Sequence, residues 1–188
     1  ETWYALQLAM STASLTESDL TIQDIGYTQQ AALVGGKVDA VVGYSNNDAI
    51  QIRQAGTPVR TIQVADRIPL VGVSLVTTRS LLDSRRQDLE TVVKASIKGM
   101  TAFVKDPDAA VEATKDHMDD LKVDQTQAAR AREVAVATGK LVSGDGSHPI
   151  GSVRVDDIAS MIEFLTSHKL LGDKKTPKAA EVCVPLAQ

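Results

Sequence analysis

The sequence predicts an α/β protein with a parallel sheet, and two observations lead to this fold class. Over residues 1–66, helical and strand-like patterns alternate as α-β-α-β-α-β, an order that gives parallel strands joined by right-handed crossovers. After residue 78 the pattern becomes almost entirely helical. We therefore expect two units, residues 1–66 with alternating elements and residues 67–188 with one strand and several helices.

The first unit is expected to contain three helices and three strands. Apolar residues at helical spacing predict a helix over residues 2–14. Turn and cap signals predict two shorter helices, Gln29–Val34 ended by Gly35-Gly36, and one from Asn47 to Gln54 ended by Gly56. Runs of apolar residues predict the strands Leu20–Ile25, Val38–Val42 and Val59–Val64.

The second unit is expected to contain one strand, Leu70–Thr78, followed by four main helices. The helices are predicted at Leu89–Val104, from Asp106-Pro107, from Asp124 to about Thr138, and from Asp156, with a loop at Ser143–Gly151. A lone strand would leave buried backbone groups unpaired at about 1–3 kcal/mol each. We therefore expect its neighbours to precede Glu1, and we expect the truncated chain to dimerise or swap elements.

Composition excludes several classes of function. The net charge of −4 and pI of about 5.4 argue against nucleic-acid binding. The single Cys183 permits neither an internal disulfide nor a cysteine metal cluster, and the three histidines lack ligand-like spacing. No catalytic Ser/His/Asp set or phosphate-binding loop is present. The sequence therefore predicts no catalytic residue, metal or cofactor.

Aromatic residues are the strongest signal for a binding site. They make up only 3% of the chain, yet the only Trp and all three Tyr residues fall at or near predicted element junctions, where α/β proteins bind ligands. Trp3, Tyr27 and Tyr44 are candidates to stack on a flat ligand, which contributes about 0.5–1.5 kcal/mol per pair. The alternative is that Trp3 and Tyr4 only pack their helix against the sheet, and Tyr4 is expected to be structural.

Polar residues at the same junctions complete the candidate site. Asn46 and Asn47 can donate to and accept from the edge of a heterocycle, although Asn47 is equally suited to cap a helix. Thr28 can cap its helix while backbone N–H groups there face an anionic ligand. Asp66 and Arg67 lie at the boundary of the two units, where they could contact ligand or form a hinge salt bridge.

Several segments resemble a known family. Residues 26–43, GYTQQAALVGGKVDAVVG, resemble a segment of periplasmic solute-binding proteins of ABC importers, in the superfamily that binds alkylsulfonates and thiamine pyrimidines. Ile97–Met100 followed by Asp106–Ala110 is similar to another segment of this family, and Asp156–Leu171 is similar to its last helix in the first lobe. The resemblance extends to about residue 172.

The resemblance implies a type-II periplasmic-binding-protein fold, in which two α/β lobes close over a ligand. Residues 1–66 would form most of the inserted second lobe and residues 67–188 the return into the first lobe, which would be incomplete. It also implies a non-catalytic binding protein in the periplasm, or anchored outside the membrane, that delivers a small solute to an ABC permease. The solute would be a flavin or pyrimidine, or a sulfonate, taurine or nitrate.

Two other functions use the same fold. One is the effector-sensing domain of a transcription regulator, which a helix-turn-helix before Glu1 would support and a signal peptide there would exclude. The other is a fungal pyrimidine synthase, an enzyme that uses pyridoxal phosphate and a histidine of its own chain. The cysteine-rich signature of that enzyme is absent, since Cys183 stands alone.

Overall fold

The computed structural model describes residues 2–64 and 71–186, and the elements formed there are helices. The first of the two ranges contains a short 3₁₀ turn, Glu17–Asp19, and three helices: α1 (Thr2–Thr12), α2 (Gln29–Val34) and α3 (Asp48–Gln54). The second contains seven helices: α4 (Arg79–Ser84), α5 (Arg86–Lys105), α6 (Pro107–Lys115), α7 (Asp120–Val123), α8 (Gln125–Ser143), α9 (Val155–Ser167) and α10 (Ala179–Val182).

The strands of the predicted α/β sheet are not formed in the described residues. None of Leu20–Ile25, Val38–Val42, Val59–Val64 or residues 71–78 forms a strand. Among the described residues, no backbone hydrogen bond joins one of these segments to another. A strand requires such a ladder, whereas apolar runs report only the tendency to be extended. Without partners the side chains stay at the surface, so that Val73 is 108% exposed.

The predicted helices are formed, and the starts of α6 and α8 agree with the local signals. The Asp106 carboxylate accepts from the Ala109 N–H at 2.9 Å, with Pro107 in the first turn of α6. The Asp124 carboxylate accepts from the N–H groups of Thr126 and Gln127 at 2.8 and 3.0 Å at the start of α8. These side chains pair N–H groups that a helix terminus would otherwise leave without partners.

Helix α8 is the centre of the helical part, because it contacts α3, α5, α6 and α7. Its small residues Ala135 and Gly139 are buried, and Gly139 lies against α5 near Val104 and Phe103. A Cβ at Gly139 would be 3.9 Å from the Val104 Cα, so the two backbones approach closely at this point. This packing fixes the position of α8. Because α8 also contacts α3, it fixes the position of α3 in turn.

The C-terminal part packs on α9 through α10. Phe164 of α9 is only 5% exposed, and its ring centroid lies 4.2 Å from that of His168. Cys183 directly follows α10 and is also buried. The Arg79 guanidinium donates to the Glu181 carbonyl at 3.0 Å, which connects the start of α4 to α10.

The chain keeps a large accessible surface. Its 13478 Å² exceeds the roughly 8,700 Å² expected of a compact protein of this mass. Apolar side chains contribute to it, including Ile62, Leu75 and Val76, which are 73%, 66% and 92% exposed. The segments at residues 57–63 and 71–78, which form neither helix nor strand, therefore carry apolar surface that the described residues do not cover.

Candidate functional site

The first part of the candidate site is a tight turn that leads into α2. The Asp24 carboxylate accepts from the Gly26 N–H at 2.9 Å, and Gly26 has a φ of +58°, which a residue without Cβ adopts readily. The Ile25 carbonyl accepts from both the N–H and the hydroxyl of Thr28, at 3.2 and 2.7 Å. These bonds hold Tyr27 at the tip of the turn, where its side chain is fully exposed.

The second part is the turn that leads into α3. The Asp48 carboxylate reaches back and accepts from the Tyr44 N–H at 2.7 Å, while the Tyr44 carbonyl accepts from the N–H groups of Asn47 and Asp48. Residue 43 must be small, because a Cβ there would lie 2.5 Å from the Asp48 Oδ2. The turn is therefore closed by its own residues, with the Tyr44 side chain 57% exposed at its start.

The helix-capping roles considered for Thr28 and Asn47 are not observed for their side chains. Both residues occupy N-cap positions, but neither side chain makes a capping bond. The Thr28 hydroxyl donates to Ile25, and the Asn47 Oδ1 accepts from the Gln51 Nε2 at 2.8 Å. The capping prediction for these two side chains is therefore wrong, while their predicted roles in ligand contact stay predictions.

Asn46 connects this turn to α8. Its side-chain Nδ2 donates to the Thr138 Oγ1 at 2.9 Å, in a partly buried contact between residues 92 positions apart in the chain. Farther along α3, the Gln54 Oε1 accepts from the Arg130 Nε at 2.9 Å and its Nε2 donates to the Glu133 Oε2 at 2.7 Å. Polar bonds thus join both ends of α3 to α8.

The remaining candidates lie apart from this contact or outside the described residues. Trp3 is on α1 and 39% exposed. Asp66, its neighbour Arg67 and the predicted boundary at 66/67 fall outside the described residues, so they stay predictions. Tyr27 and Tyr44, by contrast, lie on turns that lead into neighbouring helices, because α2 and α3 contact each other.

Two surface hollows in the described part are lined by residues other than these candidates. One, of about 420 Å³, lies between α9 and residues 176–179, and its walls are mainly apolar. The other, of about 310 Å³, lies at the loop after α8 and includes Asp145, His148 and Arg154. The glycine and proline residues of this loop predicted turns, and they gave no indication of a hollow.

Two exposed aspartates have shifted titration. Hydrogen bonds from the Ser147 hydroxyl and N–H lower the pKa of Asp145 below its ordinary value. Bonds from the Thr16 N–H and hydroxyl likewise lower the pKa of Asp19. Both arrangements are local turns, so they stabilise the carboxylate without forming a catalytic pair.

The described residues give no indication of a metal centre or a membrane span. In residues 2–64 and 71–186, no three or more His, Cys, Asp or Glu side chains are grouped to hold a metal ion. The longest helices described, α5 and α8, lack the apolar character that a membrane crossing requires.

Comparison with known proteins places the chain in a family. The family described as NMT1/THI5 like matches residues 3–110, which include α1 to α5 and both turns of the candidate site. The chain belongs to the NMT1/THI5-like family. The resemblance to this superfamily of binding proteins, seen in residues 26–43 and 97–110, is thereby confirmed.

Two curated relatives are named as binding proteins. The riboflavin-binding protein RibY of Chloroflexus aurantiacus is 31% identical over 60% of this chain and 32% of its own length. The formylaminopyrimidine-binding protein of Halalkalibacterium halodurans is 22% identical over 80% of this chain and 46% of its own length. This member of the NMT1/THI5-like family thus spans less than half of either relative, and no solved structure matches it.

Proposed function

We propose that the chain is part of the extracytoplasmic substrate-binding component of an ABC importer. In this proposal two lobes of a type-II fold close over a small planar solute, a flavin or a pyrimidine, and an ABC permease receives it. The observation that carries the proposal is that two relatives, similar over different lengths of the chain, are named for binding riboflavin and a formylaminopyrimidine. Both compounds contain flat nitrogen heterocycles.

The candidate site has suitable chemistry for such a ligand. Tyr27 and Tyr44 expose their rings on turns that lead into adjacent helices, so each offers a face for stacking. The Asn46 carboxamide supplies an acceptor oxygen for the edge of a heterocycle, while its Nδ2 donates to Thr138. Stacking faces and one amide provide affinity and orientation, and they are not a set of groups that would cleave or transfer a bond.

The test is a titration of the intact protein that carries this chain. Riboflavin binding is followed by quenching of flavin fluorescence, and binding of an aminopyrimidine by calorimetry. We expect binding of one of the two, and we expect Tyr44→Ala and Asn46→Ala each to weaken it about tenfold or more, equivalent to about 1.4 kcal/mol. Tyr4→Ala is the matched control, because Tyr4 is an aromatic residue on α1 and belongs to neither turn.

One outcome would contradict the proposed ligand class, and a second would contradict only the proposed position of the site. Binding of taurine, nitrate or an alkylsulfonate, with neither heterocycle bound, would assign the protein to a different ligand class. Unchanged affinity in both Tyr44→Ala and Asn46→Ala, with Tyr4→Ala also unchanged, would move the site away from the α3 turn while leaving a binding function in place.

A further inference from the structure

Only the nitrogen of the Asn46 carboxamide has a hydrogen-bond partner among the described residues. Its Nδ2 donates to the Thr138 Oγ1 at 2.9 Å. Its Oδ1 has no hydrogen-bond partner among the described residues, and the described part contains no buried side-chain oxygen or nitrogen without a partner. The Oδ1 is therefore accessible, and an amide oxygen can accept two hydrogen bonds.

The position of Asn46 is determined by the docking of α3 on α8. Ile50 and Ile52 of α3 are each 2% exposed, so the helix is fixed by buried side chains as well as polar ones. At its end, the Gln54 carboxamide is bonded at both its oxygen and its nitrogen, to Arg130 and Glu133. Because these two residues and Thr138 all belong to α8, one helix positions both ends of α3.

We infer that Thr138 is a positioning residue of the proposed ligand site, and that it makes the site selective for a heterocycle with an N–H donor. Thr138 holds the nitrogen end of the Asn46 amide against α8, which leaves the oxygen end to accept from the ligand. This inference rests on the proposed function, in which Asn46 contacts the ligand. The ligand class it selects has a ring imide or an amino group, as flavins and aminopyrimidines have.

The test compares ligands in which this N–H donor is present or is replaced by N-methyl groups. Riboflavin is paired with 3-methylriboflavin, which lacks the imide N–H, and a 4-aminopyrimidine is paired with its 4-dimethylamino derivative. Dissociation constants are measured for both pairs with the intact protein. We expect the wild-type protein to prefer the N–H ligand of at least one pair by about tenfold or more, as expected for loss of one hydrogen bond in a desolvated site.

Variants of Thr138 then distinguish a role in positioning Asn46 from a role in the stability of the fold. Thr138→Val keeps the shape of the side chain but removes the hydroxyl, and we expect the preference to fall to within about threefold. Thr138→Ser keeps a hydroxyl and should retain the preference. Thr126→Val is the matched control, because Thr126 is an exposed residue in the first turn of the same helix. A merely structural role would lower the unfolding midpoint of Thr138→Val without changing the ratio of the two affinities.

Asn46→Ala keeps the test decisive if Thr138→Val does not fold. It removes the amide itself, so the preference for the N–H ligand should disappear even with Thr138 in place. If the wild-type protein binds at least one pair and either variant retains the full preference, the inference about Thr138 is overturned and the proposed function stands. If the wild-type protein binds none of the four ligands, the proposed function fails and this inference fails with it.

Discussion

Two sets of helices begin in different ways. At α4, α6 and α8, the side chains of Thr78, Asp106 and Asp124 accept hydrogen bonds from N–H groups of the first helical turn. At α2 and α3, the N-cap residues Thr28 and Asn47 make no such bond. Polar side chains therefore stabilise the starts of α4, α6 and α8, whereas α2 and α3 begin without this contribution, as do α5, α7, α9 and α10.

Individual aromatic residues also differ in burial, although each of the two described ranges has buried core residues of its own, such as Ile50 and Leu82. Phe164 is 5% exposed against His168 on α9, whereas the Tyr27 ring at the turn before α2 is fully exposed. Aromatic residues that are buried contribute to the stability of the fold, while an exposed ring contributes to it very little. The comparison therefore separates residues that hold the protein together from residues available for a ligand.

The largest expected effect tests this separation directly. Phe164→Ala should lower the free energy of unfolding by about 3–5 kcal/mol, because it removes a buried ring and leaves a cavity. Tyr27→Ala should change it by no more than about 0.5 kcal/mol, as is usual for an exposed position. Urea unfolding followed by circular dichroism measures both. A loss of more than about 2 kcal/mol in Tyr27→Ala would show that this ring is part of the core and would contradict its assignment as a free stacking face.

An intermediate effect is expected from the helix caps. Asp124→Ala should destabilise the protein by about 1 kcal/mol, because two N–H groups at the start of α8 lose their acceptor. Asn47→Ala should lower the free energy of unfolding by only a few tenths of a kcal/mol, since its side chain accepts from Gln51 within α3 and does not cap the helix terminus. Asp124→Ser is the conservative control and should recover most of the loss. If Asp124→Ala and Asn47→Ala lowered the free energy of unfolding equally, the distinction between capped and uncapped helix starts would be contradicted.

The smallest expected effect is a change in the pKa of Asp145, in the loop after α8. Ser147→Ala removes the hydroxyl that donates to Asp145, so the pKa of Asp145 should rise toward its ordinary value. A carboxylate with a lowered pKa in the folded state contributes stability above its unfolded pKa, and this contribution is lost as the pH falls through the folded pKa. Carboxyl carbon chemical shifts between pH 2 and 6 measure the change, and Ser152→Ala is a control from the same loop. An unchanged Asp145 titration in Ser147→Ala would contradict the assigned cause.

The helices could be predicted because their signals are local. Asp106-Pro107 and Asp124 gave the starts of α6 and α8, since a cap and its helix lie within a few residues of one another. Their lengths were less accurate, so that α8 continues to Ser143 beyond the predicted Thr138. An apolar stripe identifies the buried face of a helix, and it does not mark where an exposed last turn ends.

The strands and the contact of Asn46 depend on residues distant in the chain. Runs such as Val38–Val42 indicate extended backbone, but a ladder also requires a partner strand in register, which one segment cannot specify. Asn46 was identified from its amide chemistry, whereas Thr138, 92 residues away, carried no local signal within α8. It becomes visible only once α3 packs on α8.

The burial of Cys183 has a practical consequence for following motion in this molecule. It is the single thiol of the chain, and it is 7% exposed next to α10. A thiol reagent added to the native protein can react only when the C-terminal segment separates from the helices around it, so the labelling rate measures how often that opening occurs. Cys183 is therefore a native probe for local opening of the C-terminal segment, and it lies outside the two turns of the candidate site.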